Sequence, residues 1–478
     1  MKIVHVLPTL SWGGGARSTL DLGRAQPDAA EWILISLRPA DAPFVQAARA
    51  VGFRVIQNDA PESARAALEN ADIVHVHFWN TPEMYAWLRS PLPAMRLVMT
   101  LHVAGEFPAQ IFSSPLLDFP DYLVPTSTYS TRLPEFRAWD RANVRVITAS
   151  SRMPDKEIVR PPHAGIRVGY AGTVDFIKMH ARFIEICAAV QDPRVTFPVV
   201  GGGDGFKTLQ KQARALGIQD KFEWLGYRAD IFETLATFNI LGYPLCRESY
   251  ASCEAIVQEA MWLDVPPVVL DHGALPDLIQ NGETGIVARD EHAYTRAIDH
   301  LCADETERQR LGENARAYAR QHFGADKYAR ELGAVYDQVM RNEKRERVWR
   351  GAFPSETFRG ASALIESFGA GAAPYLVSLE SENAEEHARA ENRIAHAPPV
   401  ESKAGGVFEY RVAYPHDAML RFWTGLILGQ QGRYALAAGE LRAAQNLGLP
   451  EARVKNYFAR VMKHQPPFAN GLGKRING

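Results

Sequence analysis

The feature that most constrains the fold is the alternation of short apolar runs with amphipathic stretches over residues 1 to about 340. The apolar runs are KIVHVL, WILISL, RVIQ, DIVHVHF, RLVMTLHV, YLVPTS and VRVIT, and after residue 165 they resume with RVGYAG, VTFPVVG, FEWLG, ILGYP, PPVVL and TGIVA. Strands that alternate with helices form parallel sheets covered by helices on both faces. The sequence therefore predicts an α/β chain with doubly wound sheets. Ligands of such sheets bind beyond the carboxyl ends of the strands.

Changes in this pattern predict the domain boundaries. The proline-rich run SRMPDKEIVRPPH interrupts the alternation of strands and helices. The alternation then resumes, and it stops near residue 345. We expect Rossmann-like domains over residues 1–160 and 161–345 and an α-helical extension over residues 346–478. Within the extension, AMLRFWTGLILGQQGRYALAAGELRAAQNLGL reads as two amphipathic helices around Gly432 and resembles one tetratricopeptide unit. A simple helical hairpin is an equally good interpretation.

Composition excludes several classes of function. The formal net charge is −2 and no long block of like charges occurs, so no nucleic-acid partner is expected. The four cysteines lack a CxxC spacing and are too few for a disulfide framework, which favours a reduced, cytoplasmic protein. No apolar run is long enough to cross a membrane. The opening MKIVHVLPTL is cut short by Pro8, and it predicts a buried strand instead of a signal peptide.

The segment SYASCEAIVQEAMWLDVPPVV predicts a turn, a helix and a strand, with Glu254 at the turn and Glu259 inside the helix. Five residues correspond to about 140° around a helix, so the two carboxylates do not share a face. We expect them to address two ends of one ligand. The amides at the helix start favour an anion, because the donors and the helix dipole both point there.

Together with LSWGGGARS, MTLHVAG, VGYAGTVDFIKMH, VVGGGDGF and FEWLGYRADI, this segment resembles the retaining GT-B glycosyltransferases, specifically the group often called family 4. The resemblance covers residues 1 to about 340. It implies two facing doubly wound domains, the first on the acceptor side and the second holding a nucleoside diphosphate-sugar. It also implies transfer of a hexose-like sugar to an acceptor hydroxyl with retention.

In this family the helix that contains Glu-Ala-Met binds the donor. Glu259 matches the glutamate that accepts hydrogen bonds from the ribose hydroxyls, and a carboxylate suits a diol because it offers two acceptor oxygens. Ala251 stands where the family has a glutamate that touches the sugar, so Glu254 is the expected substitute. The residues around the diphosphate are then Ser252, Cys253, Glu254 and Ala255.

The second match is the diphosphate lysine. Lys178 lies at the position of the family lysine, whereas Thr173 replaces an arginine that also pairs with the diphosphate. Thr173 is still expected to line the site. Arg228 or Arg247 is the candidate for the missing cation.

Glycine loops and a histidine complete the implied site. Gly14 and Gly15 match the loop near the donor phosphates and the acceptor, and Gly203 follows the second strand of the second domain. Glycine lets the backbone approach a ligand closely, although such clusters also form tight turns. Tyr227 and Arg228 are candidates for contacting the nucleotide base. His102 matches a histidine near the transferred sugar.

His75 and His77 form an HxH pattern that is also found in metal sites. We reject a metal there, since no carboxylate is adjacent and GT-B enzymes generally need none. His77 is expected to line the cleft or to be a satisfied polar residue. The motif ESFG at 366–369 matches the Glu-x-Phe-Gly pattern whose glutamate touches the donor sugar in this family. It precedes no Glu-Ala-Met helix, so we interpret it as unrelated to the site.

The sequence therefore predicts a glycosyltransferase with no permanently bound cofactor, a UDP- or GDP-sugar as donor, and His102, Lys178 and Glu254 as catalytic residues. Two alternatives stay open: a non-catalytic GT-B scaffold, and another GT-B enzyme such as an epimerase or phosphorylase. A protein or peptide acceptor is the leading hypothesis, with a glycan or lipid as alternatives. The helical extension is expected to position the acceptor or mediate self-association, unless it only covers apolar surface.

Overall fold

The computed structural model describes residues 1–57, 59–137, 141–150, 153, 154, 156, 158–228, 230–351 and 355–468. These form two compact units. The first comprises Met1–Phe78, Pro93–Ala104 and Pro120–Arg347, and the second comprises Trp79–Leu92, Gly105–Phe119 and Val348–Gly478. In the part of the chain described, no helix is long and apolar enough to cross a membrane.

The first unit contains two six-stranded parallel sheets. The first sheet has the order β3-β2-β1-β4-β5-β6, and its strands are β1 (Lys2–Leu7), β2 (Glu31–Ser36), β3 (Arg54–Ile56), β4 (Ile73–Phe78), β5 (Leu97–Leu101) and β6 (Tyr122–Pro125). The second has the order β12-β11-β10-β7-β8-β9, and its strands are β7 (Ile166–Ala171), β8 (Val195–Val200), β9 (Phe222–Gly226), β10 (Ile240–Tyr243), β11 (Pro267–Leu270) and β12 (Ile286–Ala288). In each sheet the order of the strands reverses at one point, between β1 and β4 in the first sheet and between β7 and β10 in the second. Ligands of such sheets bind at this point.

The helices of the first unit are α1 (Gly14–Ala25), α2 (Ala42–Ala50), α3 (Pro61–Glu69), α6 (Thr128–Thr131), α7 (Pro134–Arg137), α8 (Phe183–Ala188), α9 (Phe206–Ala215), α10 (Phe232–Leu235), α11 (Ala255–Trp262), α12 (Glu291–Ala303), α13 (Glu305–His322) and α14 (Ala325–Val339). Most strands are almost wholly buried because helices cover both sheet faces, whereas the edge strands β3, β9 and β12 are partly exposed. Helix α14 returns to the core of the first sheet through Tyr328, Leu332 and Tyr336. The predicted pair of doubly wound sheets is confirmed.

One predicted strand is wrong. The run VRVIT is no regular strand, and its Val144 forms only an isolated bridge to Leu123. The amides of Arg145 and Ile147 do donate to the carbonyls of Leu123 and Pro125. The segment therefore follows the edge of the sheet at β6 without a continuous ladder, a difference that an apolar run alone does not reveal.

The second unit is helical. Its helices are α4 (Pro82–Arg89), α5 (Ser114–Leu117), α15 (Arg359–Phe368), α16 (Ala373–Glu380), α17 (Ala384–Ala395), α18 (Pro399–Ser402), α19 (Val407–Ala413), α20 (Ala418–Gln430), α21 (Tyr434–Asn446) and α22 (Glu451–Met462). The predicted helices around Gly432 are α20 and α21, which pack through Gly425 and Leu441. The likeness to a tetratricopeptide unit and the domain boundaries stay predictions.

The second unit draws on segments well before residue 346. The Gln110 side chain donates to the carbonyls of Asn80 (3.0 Å) and Ala404. Glu366 of the ESFG motif accepts from Arg89 at 2.6 Å and from the indole of Trp349. This glutamate therefore has a structural role among the helices, in keeping with its interpretation as unrelated to the site.

Candidate active site

The loop between β10 and α11 places Glu254 at the N-cap of α11. Its side chain does not cap the helix. Instead its carboxylate accepts from the Tyr243 hydroxyl at 2.9 Å and lies 2.6 Å from the Lys178 ammonium. The side chains of Glu254 and Lys178 are each 12% exposed. The structure thus joins two of the predicted catalytic residues in one nearly buried ion pair.

The electrostatics of this pair keep the lysine charged. Burial alone would lower the pKa of Lys178, but the carboxylate of Glu254 and the neighbouring Tyr250 outweigh burial, and the pKa is raised above its usual value. The ammonium also lies 5.6 Å from the ring centroid of Tyr250. An anion that displaced the carboxylate of Glu254 would therefore meet a charged ammonium.

Ala251 cannot supply the sugar contact that the family glutamate makes. It is buried at 3% exposure, and its amide donates to the Ser249 hydroxyl at 3.1 Å. Glu254 lies three residues farther on, with its carboxylate beside Lys178. Its place at the helix start agrees with the sequence prediction, whereas its role as a sugar contact stays a prediction.

Glu259 lies in α11 and is almost completely buried. Its carboxylate is 2.8 Å from the guanidinium of Arg17, which stands in the first turn of α1 just after Gly14 and Gly15. Arg17 keeps 31% of its side chain exposed. Sequence analysis missed Arg17, because its partner is 242 residues away along the chain. The arginine brings a cation from the first sheet to the predicted ribose site.

Ser252 joins the two halves of the first unit. Its hydroxyl donates to the carbonyl of His102 at 2.9 Å and accepts from the Thr126 hydroxyl at 3.0 Å. The carbonyl of Tyr250 accepts from the amide of Ala104 at 2.9 Å. The side chain of Ser252 is therefore committed to protein contacts, and the phosphate contact expected of its amide stays a prediction. Cys253 is half-buried beside it, and Ala255 is the first residue of α11.

The glycine loop after β8 packs against the loop after β7. A Cβ at Gly203 would lie 2.4 Å from the carbonyl oxygen of Val174, and one at Gly201 would lie 1.7 Å from that of Gly172. The carbonyl of Thr173 accepts from the Tyr170 hydroxyl at 2.8 Å. Glycine is thus required for contact between the two loops. The predicted ligand contacts of Gly203 and Thr173 stay predictions.

His102 follows β5 and lies against the first turn of α1. A Cβ at Gly15 would be 3.2 Å from its ring, so glycine makes room for the imidazole. Burial lowers the pKa of His102 to about 4, which makes the ring neutral at pH 7. Its Nε2 lies 2.9 Å from Nδ1 of His77. His77 is accordingly a satisfied polar residue, one of the two outcomes expected for it.

The register of β1 and β4 adds a histidine that sequence analysis missed. His5 pairs with His75 across the strands, and side-chain nitrogens of His5, His75 and His77 lie within 4.8 Å of one another. The HxH pattern thus belongs to a buried cluster of three imidazoles. The expectation that no metal binds there stays a prediction.

Tyr227 and Arg228 follow β9, the outer strand of the second sheet. Both are exposed, Tyr227 at 68%. Arg247 is exposed in the loop between β10 and α11. The predicted roles of these three residues toward the nucleotide and its phosphates stay predictions.

Comparison with known proteins agrees with this architecture. Residues 153–318 match the model of the family "Glycosyl transferases group 1". The D-inositol 3-phosphate glycosyltransferase of Corynebacterium kroppenstedtii is 30% identical over 321 residues, which are 59% of this chain and 70% of that protein. The N-acetyl-alpha-D-glucosaminyl L-malate synthase of Bacillus anthracis is 23% identical over 305 residues, 59% of this chain and 79% of that protein.

Solved structures show the same fold. HepE from Anabaena, crystallised with UDP and glucose, has a TM-score of 0.58 and 18% identity, and the match covers 71% of this chain and all of HepE. TarM from S. aureus has a TM-score of 0.56 and 11% identity over 70% of this chain and 100% of TarM. With the two doubly wound sheets and the relative at 30% identity, the chain belongs to the group 1 glycosyltransferases of GT-B fold.

Proposed function

We propose that this glycosyltransferase moves a hexose-like sugar from a nucleoside diphosphate donor, a UDP- or GDP-sugar, to an acceptor hydroxyl with retention of configuration. The observation that carries the proposal is the Lys178–Glu254 pair at 2.6 Å beside the start of α11. Helix starts attract anions, and the ammonium of Lys178 becomes available to a diphosphate when Glu254 is displaced. HepE, which shares the fold, binds UDP and glucose. Charge and fold together support this donor class.

The pair suggests an exchange of partners when the donor binds. The diphosphate takes the place of Glu254 beside Lys178, and the freed carboxylate accepts hydrogen bonds from the sugar hydroxyls. The bond between the anomeric carbon and the diphosphate oxygen then breaks, while the acceptor oxygen bonds to the same face of that carbon. The acceptor proton passes to the departing diphosphate. Catalysis rests on positioning and electrostatics, with no covalent intermediate on the protein and no permanently bound cofactor.

A ligand panel tests the donor class. We expect UDP or GDP, and the matching sugar nucleotide, to raise the thermal midpoint, because a ligand that binds only the folded state stabilises it by about 2.7 kcal/mol at 100 times its Kd. Peptide, glycan and lipid acceptors are then added with the stabilising sugar nucleotide, and the anomeric configuration of any product is determined by NMR. Failure to bind any nucleoside diphosphate at millimolar concentration would contradict the proposed donor class and favour a non-catalytic scaffold.

We also propose that the helical second unit positions the acceptor, with a protein or peptide as the leading candidate. The acceptor experiment requires the full chain. Removal of residues 346–478 would take Ala404 from Gln110 and Glu366 from Arg89, and it would expose the buried Tyr85. Insolubility of such a fragment would therefore say nothing about acceptor binding.

Glu259→Ala should weaken binding of the stabilising nucleoside diphosphate by about 1–3 kcal/mol, the scale for losing hydrogen bonds to a charged group. Folding should survive, because Arg17, the residue left behind, is 31% exposed and can be solvated. Isothermal calorimetry with the bare nucleotide measures the effect. Unchanged affinity would remove the ribose assignment.

The ion pair with Arg17 requires a matched control. Arg17→Met breaks the same contact but keeps the carboxylate that is proposed to bind ribose. We expect it to change nucleotide affinity less than Glu259→Ala does. Equal losses in the two variants would show that the affinity depends on the ion pair, and the direct contact with ribose would be wrong.

A further inference from the structure

Three histidines of the first sheet form a line of hydrogen bonds that ends at His102. Nδ1 of His5 lies 2.9 Å from Nε2 of His77, and Nδ1 of His77 lies 2.9 Å from Nε2 of His102. His5 is in β1, His77 is in β4 and His102 follows β5, so the line runs across three neighbouring strands. His5 and His77 are buried, whereas His102 is partly exposed.

The protonation state of each ring couples the three. Burial lowers the pKa of His5 to about 3, that of His102 to about 4, and that of His77 well below its usual value. All three are therefore neutral at pH 7, and a neutral imidazole has one N–H and one acceptor nitrogen. Both hydrogen bonds then form only if every ring points its proton the same way along the line. A change of tautomer at one ring requires a change at all three.

Among the described neighbours of His77, no hydroxyl supplies a competing proton. The Thr19 hydroxyl lies 3.4 Å from Nδ1 and 3.3 Å from Nε2 of His77, but it donates to the carbonyl of Gly15 at 2.9 Å. His75 stacks on His77, but its two nitrogens bond to Tyr336 and to a threonine of β5. The direction of the line is therefore decided at its ends.

At the inner end, Nε2 of His5 is buried and has no hydrogen-bond partner among the residues described. If the protons point inward, this orphan is an N–H; if they point outward, it is an unpaired acceptor. Among buried backbone groups, an N–H without a partner is rarer than an acceptor that lacks one, and the same preference applied to the imidazole favours the outward direction. We propose that His5 and His77 are positioning residues that hold His102 in the tautomer with its proton on Nδ1, so that a hydrogen-bond donor faces the transferred sugar.

This inference rests on the proposed function only for the contact with the sugar. A neutral donor at Nδ1 binds a hydroxyl oxygen of the sugar without adding positive charge near the anomeric carbon. If the protons pointed inward, Nδ1 of His102 would be an acceptor instead, and a different orientation of the sugar would be favoured. His5 touches no substrate in this arrangement. It influences the reaction through two hydrogen bonds, from His5 to His77 and from His77 to His102.

Two variants at His5 test the relay. His5→Asn keeps an N–H donor close to the position of Nδ1, whereas His5→Leu removes it. We expect His5→Leu to lower kcat about tenfold, the scale of one hydrogen bond, with KM changed less than twofold. His5→Asn should recover most of kcat. Equal losses of kcat in both variants, with equal falls in thermal midpoint, would show a packing role and overturn the relay.

Nitrogen NMR of the protein with ¹⁵N-labelled histidine gives a readout that does not depend on activity. The His102 signals are assigned by their loss in His102→Ala. Wild type should show a protonated Nδ1 and an unprotonated Nε2, and His5→Leu should show a mixture of tautomers. A protonated Nε2 in wild type would overturn the proposal even if neither variant folds. One bound equivalent of zinc in the purified protein would overturn it as well, since the metal would replace the shared protons.

The two readouts separate this inference from the proposed function. If sugar transfer is never observed but the tautomers are as expected, the relay stands and only its substrate is wrong. If transfer is observed and His102 carries its proton on Nε2, the proposed function stands and the relay is wrong.

Discussion

Replacing Lys178 with methionine should lower the turnover number for sugar transfer by about 10²- to 10³-fold, the range found when one preorganised electrostatic contact to a transition state is removed. The ammonium is 12% exposed and held 2.6 Å from Glu254, so its position is fixed before the donor arrives. Charge on the departing diphosphate grows as the sugar leaves. The turnover number should therefore fall more than the affinity for the sugar nucleotide. Steady-state kinetics with saturating donor measures the effect.

Stability must be separated from chemistry in this experiment. Lys178→Met leaves the Glu254 carboxylate with the Tyr243 hydroxyl but without a cation, and a buried charge that loses its partner destabilises a fold. The double variant Lys178→Met with Glu254→Gln removes both charges. We expect it to recover the thermal midpoint but not the turnover. Lys207→Met, at an exposed lysine of α9, should change neither. If the single variant keeps wild-type turnover, Lys178 is not the diphosphate ligand.

Local patterns sufficed for the two doubly wound sheets and for the helix that contains Glu259. Parallel strands buried on both faces give apolar runs, and the turn before α11 ends where the sequence places Glu254. The pattern failed at VRVIT, since an irregular edge segment can be as apolar as a strand. Apolar patterns therefore predicted where strands and helices occur, but not whether each apolar segment pairs as a regular strand.

Contacts between residues far apart in the sequence could not be predicted from local patterns. Arg17 and Glu259 are 242 residues apart, and nothing near Arg17 indicates a carboxylate partner. His5 joins His77 only because β1 and β4 are neighbours in the sheet, and the order of strands does not follow from strand patterns alone. Lys178 and Glu254 were each predicted, but from separate motifs. Their contact, which dominates the electrostatics of the site, required the structure.

The glycine motif VVGGGDGF offers an internal test of what its glycines do. Gly201→Ala should lower the stability of the protein by about 2–5 kcal/mol, from backbone strain and overpacking together. Gly201 has a φ of +141°, where side chains are strained. Its added Cβ would lie 1.7 Å from the carbonyl oxygen of Gly172. Backbone cannot rotate away as a side chain can, so the loop that leads to Lys178 must move.

Gly202→Ala is the matched control one residue along. Among the described residues, no atom lies within 4 Å of a Cβ there, and the φ of Gly202 is not positive. We expect the control to leave the denaturation midpoint unchanged or slightly raised, because alanine restricts the unfolded chain more than glycine does. Chemical denaturation compares the two variants, and calorimetry with the bound nucleotide checks whether displacement of the loop also weakens its binding. Similar midpoints for both would mean that contact between the two loops does not explain Gly201. The motif would then have to be explained by a ligand that approaches its backbone.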